Sequence, residues 1–471
     1  MSVKADLGIL PTAQAYFAAQ IPVVVVGGGA CGLTAALAAR DGGADTLLLE
    51  ADPVPQGTTA MSQGAICAAG TKDQARLGID DTPELFYADV MAKTEGRTDP
   101  ELVRFVTKAA GPAVDWLTER HDIPFSVDTS WKGLGHSRQR LHGPPERTGS
   151  DLSGRLVRAV EKAGVDILCS ARAVGLFADA EGRVTGVRIA RPDGTHEDIG
   201  CGALVLGTCG FAANPEMVAE NIPGMAGVAT YTWENACGDG IRWGAQLGGA
   251  TADMTAFQGY GSLAVPQQML FNYNFIIDGG VMVNRNGVRF SDELADISGQ
   301  GLYVHRQPDH LAYMIWDATL QDRYKHVHET KQALSLNAIK FADTVEDLAR
   351  ALDLPPAALA ATLAEVREVK EGRKADPFGR SFAGAHQLSP PYAGIRVTGA
   401  LFHTQGGLVV NHDAQVRRGD GTLLPNLFAG GGTARGMSGP TMSGYIPASG
   451  ICMAITLGRL GGAAAAKVAA R

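Results

Sequence analysis

The segment IPVVVVGGGACGLTAALAARDGGADTLLLE, residues 21–50, constrains the fold more than any other stretch of the chain. A β-branched run that ends at Val26 predicts a buried strand, and apolar residues at helical spacing follow the glycines. A second apolar run, which ends at Leu49, predicts another strand. A strand, a glycine-rich turn, a helix and a strand within about 30 residues predict a βαβ unit and therefore an α/β fold with a parallel sheet.

The glycines of this unit form the pattern GxGxxG at residues 27–32. The first lets the chain turn, the second lets the backbone approach a pyrophosphate, and the third lets helix and strand pack closely. A helix that starts at Ala30 presents its N-terminus to that anion. Glu50 ends the second strand, where a carboxylate can accept a hydrogen bond from a ribose hydroxyl. The unit predicts a dinucleotide site but does not choose between NAD and FAD.

The composition excludes several classes of protein. A formal net charge of −8 and the lack of a basic stripe argue against nucleic acid as the main partner. No apolar run approaches the roughly 18 residues that a membrane span needs, and the N-terminus lacks the pattern of a signal peptide. The seven cysteines follow no metal-ligand spacing, which predicts reduced thiols, no metal site and a cytoplasmic location.

Segments beyond the first unit resemble the fumarate reductase and succinate dehydrogenase flavoprotein superfamily. GTTAMSQGAICAAG (57–70) is similar to the flavin-contacting segment of that family, and GALVLGTCGFAANPEM (202–217) to one of its strands and the turn after it. The resemblance therefore favours FAD. It implies cofactor contacts at Gly27, Gly29, Ala30, Gly32, Glu50, Ala51, Thr58, Thr59, Ser62, Gly64, Ala65, Ala173, Thr208, Gly431, Ser449 and Ile451.

The same resemblance implies a discontinuous Rossmann-like FAD-binding domain with an inserted α+β capping domain. The predicted boundaries are 1–253 and 399–471 for the FAD-binding domain and 254–398 for the capping domain. GGVMVNRNGVRFSDEL (279–294) is similar to the hairpin of the family's capping domain. Thr58 stands where succinate dehydrogenases carry the histidine that links covalently to FAD, so non-covalent FAD is expected here.

The stretch GPTMSGYIPASG (439–450) sets a tyrosine among glycine, serine and proline, just before an apolar helical run. It resembles a Tyr-Pro-Gly-Pro-Gly segment of the 3-ketosteroid Δ1-dehydrogenases, whose tyrosine hydroxyl and a backbone amide polarise the substrate ketone. The resemblance implies that Tyr445 is catalytic and that Ser449 supplies the amide, at a helix start that faces the flavin. The alternative is that Tyr445 only packs against the flavin.

The charged pattern of the dicarboxylate reductases is mostly absent. By register, Gln258 replaces a histidine of their capping domain, Ile297 their proton-donating arginine, and Met442 their last carboxylate-binding arginine. His403 in FHTQGG is retained, and with Thr404 it is predicted to face the substrate. A C4 dicarboxylate in so apolar a site would leave charge unpaired, which costs several kcal/mol. Fumarate and succinate are therefore disfavoured.

Two more sets of residues are candidates for the site. The base that removes a proton is left open among Tyr260, Tyr273, Asp296 and Tyr303, and the first two of these are predicted to be catalytic.

GHSRQRLHGP (135–144) resembles the family's H-S-R-x-R-x-H segment near the substrate entrance, where Arg138, Arg140 and His142 could hold a carboxylate by charge-assisted hydrogen bonds. The alternative for this segment is a solvated turn or a structural ion pair.

These features predict an FAD enzyme that oxidises or reduces a CH–CH bond beside a carbonyl, with a small carbonyl-containing substrate and an electron acceptor that the sequence does not identify. Dehydrogenation of a cyclic ketone, such as a small alicyclic oxo acid or a 3-ketosteroid-like ring, is favoured because a polarised carbonyl acidifies the adjacent C–H bond. The alternatives are an enoate reductase of the fumarate or urocanate type, an NAD-dependent dehydrogenase, and a flavin-binding scaffold without catalysis.

Overall fold

The structure is a computed structural model that describes residues 6–471. It divides into two compact units. The first comprises the chain up to Ile222, Thr232–Phe257 and His403–Arg471, and the second comprises Pro223–Tyr231 and Gln258–Phe402. The α/β fold agrees with the expectation from the βαβ unit, and the discontinuous first unit agrees with the organisation that the family resemblance implies.

The secondary-structure elements are numbered here in chain order. The strands are β1 (Gly8–Pro11), β2 (Phe17–Val26), β3 (Thr46–Leu49), β4 (Ile66–Cys67), β5 (Ser126–Val127), β6 (Leu141–Gly143), β7 (Asp166–Leu168), β8 (Arg172–Ala178), β9 (Val184–Ala190), β10 (His196–Leu206), β11 (Ala229–Thr230), β12 (Thr251–Ala252), β13 (Phe257–Ala264), β14 (Met269–Leu270), β15 (Val281–Asn284), β16 (Leu311–Asp317), β17 (Lys340–Ala342), β18 (Tyr392–Thr404), β19 (Gly407–Leu408), β20 (Gln415–Arg417) and β21 (Leu423–Ala429). The helices are α1 (Ala30–Asp41), α2 (Gly57–Ala60), α3 (Lys72–Arg76), α4 (Pro83–Lys93), α5 (Pro100–His121), α6 (Gly149–Lys162), α7 (Pro215–Asn221), α8 (Asp239–Gln246), α9 (Asn274–Ile277), α10 (Gln300–His305), α11 (Ala318–Tyr324), α12 (His328–Ser335), α13 (Val345–Ala351), α14 (Pro356–Lys370) and α15 (Ser449–Ala469).

The main sheet of the first unit has the strand order β1-β8-β9-β10-β2-β3-β7, and β21 also pairs with β10. Strands β3, β2, β10 and β21 are parallel to one another. Val26 at the end of β2 lies opposite Leu49 of β3 and Leu206 of β10. Leu206 in turn lies opposite Ala429 of β21. The four strands therefore end together at one edge of the sheet, where ligands bind in open α/β folds.

Helices α1 and α15 pack on this sheet with their backbones in close contact. A Cβ atom added to Gly462 would lie 2.1 Å from the carbonyl oxygen of Ala35, and one added to Gly458 would lie 2.5 Å from that of Cys31. Glycine is therefore required at both contacts. Among the described residues, α15 is the one helix that is long and apolar enough to cross a membrane, but 61% of that apolar window is buried inside the protein.

The second unit is built on a separate sheet with the order β14-β13-β18-β16-β15, in which β11 and β17 also pair with β18. Its core contains Phe271, Phe275 and Trp316, and the rings of the last two lie 4.5 Å apart between centroids. The second unit differs from the predicted capping domain, 254–398, at its bounds: it also includes 223–231 and 399–402, and it leaves out 254–257. Residues 223–231 belong to it because β11 pairs with Ala400 and Leu401 of β18, far along the chain.

Candidate active site

Glycine-rich turns follow the parallel strands β2, β10 and β21, and they contact one another. A Cβ atom on Gly27 would lie 2.4 Å from the carbonyl oxygen of Gly207, and one on Gly432 would lie 2.6 Å from the amide nitrogen of Gly210. Larger residues would push these turns apart. The close approach leaves main-chain groups at the sheet edge, which is the arrangement that a dinucleotide requires.

Gly27 and Gly32 have the turn and packing roles that the sequence predicts, and the approach of Gly29 to a pyrophosphate stays a prediction. Gly27 has φ +104°, a conformation that favours glycine, and a Cβ atom on Gly32 would lie 1.8 Å from the Gly27 carbonyl oxygen. A Cβ atom on Gly29 would meet only Thr59 Oγ1, at 3.5 Å. The space in front of Gly29 is therefore open, which fits a pyrophosphate at this position.

The start of α1 and the end of β3 also fit a dinucleotide. Thr59 Oγ1 accepts a hydrogen bond from the Ala30 N–H at 3.0 Å, at the N-terminus of α1. Glu50 is buried, and its carboxylate oxygens accept from the N–H groups of Gly28 at 2.6 Å and Asp52 at 2.8 Å. Burial raises the pKa of Glu50. Each carboxylate oxygen has two acceptor sites and uses one of them for these N–H groups. Each oxygen can therefore still accept a hydrogen bond from a ribose hydroxyl.

A second set of contacts lies beside Glu50, and no sequence motif predicts it. Trp233 Nε1 and Asn235 Nδ2 donate to the two carboxylate oxygens of Asp52, at 2.5 Å and 2.9 Å. The Trp233 N–H donates to Thr58 Oγ1 at 3.3 Å. The segment around Trp233 is thus tied both to the residues after Glu50 and to the predicted flavin-contacting segment. A contact between Thr58 and the flavin stays a prediction.

Several predicted cofactor contacts have clear roles within the protein. Ser62 Oγ donates to the Thr59 carbonyl oxygen at 2.7 Å and accepts from the Gly64 N–H at 3.0 Å. These bonds shape the segment that follows α2. Thr208 Oγ1 lies 3.1 Å from Thr433 Oγ1. The backbone near Ala173 lies beside Glu50, whose carbonyl oxygen accepts from the Ala171 N–H at 2.8 Å. Direct contacts of these residues with FAD, and of Ala51, Ala65, Gly431 and Ile451, stay predictions.

The N-terminus of α15 has no side-chain cap. Ala448 precedes the helix with φ +67°. Ser449 Oγ is fully buried and has no hydrogen-bond partner among residues 6–471. A buried hydroxyl without a partner is costly, and a contact of Ser449 with a bound group stays a prediction. The prediction that the Ser449 amide polarises a substrate carbonyl is wrong, because that N–H donates to the Ile446 carbonyl oxygen at 3.2 Å.

His403 lies at this helix start, as a neutral imidazole. A Cβ atom on Gly450 would lie 2.7 Å from His403 Nε2. His403 Nδ1 donates to the Thr404 carbonyl oxygen at 2.7 Å, and Nε2 accepts from Gln405 Nε2 at 2.9 Å. Burial lowers the pKa of His403, which favours the neutral ring. Gln405 Oε1 accepts from Ser438 Oγ at 3.2 Å, so the ring is held by a chain of uncharged groups. The sequence analysis overlooked Gln405 although FHTQGG contains it.

Thr404 does not bind a substrate as predicted. Its side chain is fully buried, and its Oγ1 accepts a hydrogen bond from the Phe211 N–H at 3.0 Å. A Cβ atom on Gly210 would lie 2.1 Å from this oxygen. Thr404 therefore holds the end of β18 against the turn after β10 and has a structural role.

Tyr445 is half-buried and lies on the loop that leads into α15. It follows a turn at Met442–Gly444, and its N–H donates to the Met442 carbonyl oxygen at 3.2 Å. A tight turn at Ile446–Ser449 then joins it to the helix start where His403 lies. The loop thus brings Tyr445 to the same end of α15 as His403 and Ser449. Its catalytic role stays a prediction.

The structure contradicts the choice of Tyr260 and Tyr273 as the catalytic base. Both lie in the second unit. The hydroxyl of Tyr273 donates to the Glu293 carbonyl oxygen at 2.9 Å, and that of Tyr260 to the Phe271 carbonyl oxygen at 3.3 Å. Burial raises the pKa of both phenols, so the phenolate that a base requires is disfavoured. Asp296 and Tyr303 stay candidates.

Arg140 and His142 were predicted to bind a substrate carboxylate, and this is also wrong. The Arg140 side chain is fully buried and donates to Asp81 at 2.8 and 3.0 Å and to Asp89 at 2.7 Å. His142 is fully buried between Thr71 Oγ1 and the Arg140 carbonyl oxygen, at 2.8 and 2.9 Å. Burial lowers the pKa of His142 to about 4. The alternative of a structural ion pair is therefore the one that the structure supports.

Comparison with known proteins shows which family has this arrangement. The family model described as FAD binding domain matches residues 22–451. A cytochrome-type fumarate reductase of Shewanella frigidimarina is 29% identical over 453 residues, which cover 95% of this chain and 77% of that protein. A urocanate reductase of Eggerthella lenta is 28% identical over 473 residues, with 98% and 77% covered.

Solved structures agree. A flavocytochrome c3 fumarate reductase in its open conformation has a TM-score of 0.84 at 28% identity, with 97% of this chain and 79% of that chain covered. A 3-ketosteroid-Δ4-(5α)-dehydrogenase of Rhodococcus jostii RHA1 has a TM-score of 0.77 at 24% identity, with 98% and 100% covered, and shows the shared fold. The chain therefore belongs to the FAD binding domain family and is an FAD-dependent oxidoreductase, and it is similar to fumarate and urocanate reductases over almost its whole length.

Proposed function

We propose that this protein removes hydrogen from a CH–CH bond next to the carbonyl of an uncharged cyclic ketone, such as a 3-ketosteroid-like ring, to give the α,β-unsaturated ketone. One C–H bond loses a proton to a base and the neighbouring one loses a hydride. FAD, when bound, would supply the hydride acceptor, and an external electron acceptor would then take up the electrons.

The observation that carries this proposal is the uncharged character of the groups around His403 and the loop 438–450. Gln405, His136 and Thr255 hydrogen-bond to this loop, and none of them is charged near neutral pH. The nearby Arg435 is engaged with protein carboxylates, since it donates to Asp253 at 2.6 Å and to Asp99 at 2.9 Å. A carbonyl oxygen suits such surroundings, whereas a dicarboxylate would remain unneutralised.

Residues around His403 and the loop 438–450 have separate roles in the proposed reaction. Tyr445 donates a hydrogen bond to the substrate carbonyl and stabilises the charge that develops on its oxygen. His403 is held neutral by Gln405, which keeps a second charge away from that oxygen. The buried Ser449 hydroxyl and the uncapped N-terminus of α15 favour negative charge on the bound cofactor. The base is not assigned.

The test is an anaerobic screen of the FAD-loaded protein against saturated cyclic ketones, with loss of the flavin's visible absorbance as the signal. Neutral ring ketones should bleach the flavin, and the product should carry a C=C bond conjugated to the carbonyl. If no ketone bleaches it while the dithionite-reduced protein is rapidly reoxidised by enoic acids, the proposed direction and substrate class are wrong.

A second candidate function is reduction of an enoate, as by the fumarate and urocanate reductases that the chain resembles. The observation in its favour is the similarity over almost the whole chain, at 28–29% identity. Against it stand Ile297 and Met442, which occupy the positions predicted for the family's arginines. Reoxidation of the reduced protein by urocanate, followed in the same apparatus, decides between the two.

Non-covalent binding of FAD is the first prediction. Because Thr58 occupies the position of the covalent histidine, acid or heat denaturation should release intact FAD into the supernatant. The yellow colour should leave the precipitated protein, and mass spectrometry of the chain should give the mass of the polypeptide alone. Flavin that stays with the precipitate would contradict the register of residues 57–70.

The second prediction concerns Glu50. Replacement by alanine removes the carboxylate from a buried ribose site, so FAD affinity should fall by on the order of 1–3 kcal/mol. Glu50→Gln keeps one oxygen acceptor and should lose less. Titration of the apoprotein with FAD, followed by quenching of flavin fluorescence, measures both variants. Wild-type affinity in Glu50→Ala would remove Glu50 from the cofactor site.

A further inference from the structure

The segment GHSRQRLHGP contacts the loop before α15. His136 is 3% exposed, and its Nε2 lies 3.0 Å from the carbonyl oxygen of Pro447. A carbonyl oxygen can only accept, so Nε2 carries the proton. Arg140 Nη1 lies 3.5 Å from His136 Nδ1 and can only donate, which agrees with this tautomer. His136 therefore donates directly to the loop that contains Tyr445.

Pro447 is part of the tight turn Ile446–Ser449. The Ser449 N–H closes the turn on the Ile446 carbonyl oxygen at 3.2 Å, and Ala448 has φ +67° and ψ 6°. Since the proline ring fixes its own φ near −65°, these angles identify a type II turn. The third position of a type II turn normally holds glycine, so alanine is strained there.

A type I turn is the natural competitor. It would place Ala448 in an unstrained conformation, but it requires the peptide between Pro447 and Ala448 to rotate by roughly half a turn. The Pro447 carbonyl would then point away from His136 and the hydrogen bond would be lost. The bond thus favours the strained form. It also fixes the direction of the Ala448 N–H, because C=O and N–H point in opposite directions in a trans peptide.

We propose that His136 is a positioning residue, which holds the Ile446–Ser449 turn in its type II form and thereby fixes Tyr445 relative to the start of α15. The link to catalysis rests on the proposed function, in which Tyr445 binds the substrate carbonyl. The effect on the turn does not depend on it.

The residues around His136 favour its contact with Pro447. A Cβ atom on Gly133 would lie 2.9 Å from His136 Cδ2 and 3.5 Å from Pro447 Cβ, so glycine lets the two segments meet. Arg140, held by Asp81 and Asp89, fixes the other side of the ring. Burial lowers the pKa of His136 to about 4. The ring therefore keeps a single proton near neutral pH, and Arg140 keeps that proton on Nε2.

The test uses the FAD-loaded protein and three variants. His136→Phe fills the space without a donor, and His136→Gln keeps an N–H near the position of Nε2. His136→Phe combined with Ala448→Gly removes the strain that the hydrogen bond offsets. Hydrogen exchange of residues 441–451, measured by mass spectrometry, should be about five- to tenfold faster in His136→Phe, the factor expected for one lost hydrogen bond. It should be close to wild type in His136→Gln and in the double variant.

Wild-type exchange in His136→Phe would overturn the proposal. So would a double variant as fast as His136→Phe, because a purely packing role is not restored by glycine at 448. If His136→Phe does not fold, His136→Asn, whose shorter side chain does not reach Pro447, takes its place with the same expected result. Flavin bleaching by a ketone is measured on the same samples. If no ketone bleaches the wild-type flavin, the proposed function fails, while the exchange data still decide the role of His136.

Discussion

Replacement of Tyr445 by phenylalanine is expected to lower the rate of flavin reduction by a ketone substrate by roughly 10²–10³-fold, the effect of removing one donor from an oxyanion-binding site. The hydroxyl is proposed to donate to an oxygen that gains charge only as the adjacent C–H bond breaks. The loss should therefore fall on the rate of reduction much more than on substrate binding. Stopped-flow bleaching of the bound flavin at several ketone concentrations separates the two quantities.

Phenylalanine keeps the aromatic ring of Tyr445, so the variant tests the loss of the hydroxyl alone. FAD content and thermal stability of Tyr445→Phe should match the wild type. Ser443→Ala, on the same loop, removes a hydroxyl that faces Thr441 Oγ1 at 3.1 Å and should leave the rate nearly unchanged. A Tyr445→Phe enzyme that bleaches at close to the wild-type rate would make Tyr445 a packing residue and would leave the carbonyl donor unassigned.

Replacement of Arg140 by methionine is expected to cost about 3–5 kcal/mol of stability, because it removes one partner of a buried ion pair. The Asp81 side chain is fully buried and the Asp89 side chain is partly buried, and both would lose their guanidinium partner. The FAD-loaded variant should release its flavin at a markedly lower temperature than the wild type, as followed by the rise in flavin fluorescence on heating.

Arg138→Met is the matched control. Arg138 is partly exposed, lies two residues away, and among residues 6–471 its guanidinium donates to the backbone carbonyl oxygens of Asp80 and Ser137. Its replacement should change stability by no more than about 0.5 kcal/mol, as is usual for surface sites. If Arg140→Met instead melts with the wild type and only raises KM, the arginine binds substrate and the structural interpretation of the ion pair fails.

The cofactor half of the site could be predicted from the sequence because its determinants are local. One βαβ unit contains Gly27, Gly29, Gly32 and Glu50. The order of residue types in it therefore predicts where the backbone turns, which glycine leaves space for a ligand, and which carboxylate ends the second strand. The same locality explains why the α/β fold was predictable, whereas the discontinuous first domain followed from the family resemblance.

The errors concern contacts between residues that are distant in the sequence. Arg140 pairs with Asp81, which lies 59 positions earlier in the chain. The motif that contains the arginine does not predict this pairing. Thr404 accepts from Phe211, 193 positions away, and so is buried where a substrate-facing hydroxyl was expected. Tyr273 has the residue type of a base, but burial and the charge of Glu293 raise its pKa, and its hydroxyl donates to a backbone carbonyl oxygen. Whether a polar residue supports the fold or the chemistry depends on such partners.

The most direct test of the central claim compares two electron acceptors on one sample of the reduced protein. The dithionite-reduced, FAD-loaded enzyme is mixed anaerobically with fumarate and, separately, with an uncharged cyclic enone, and the return of the flavin absorbance is timed. The reverse of the proposed reaction predicts rapid reoxidation by the enone. Reoxidation by fumarate should be slow or absent, because an unpaired dicarboxylate is costly to bind in uncharged surroundings. Rapid reoxidation by fumarate, with none by the enone, would contradict the account.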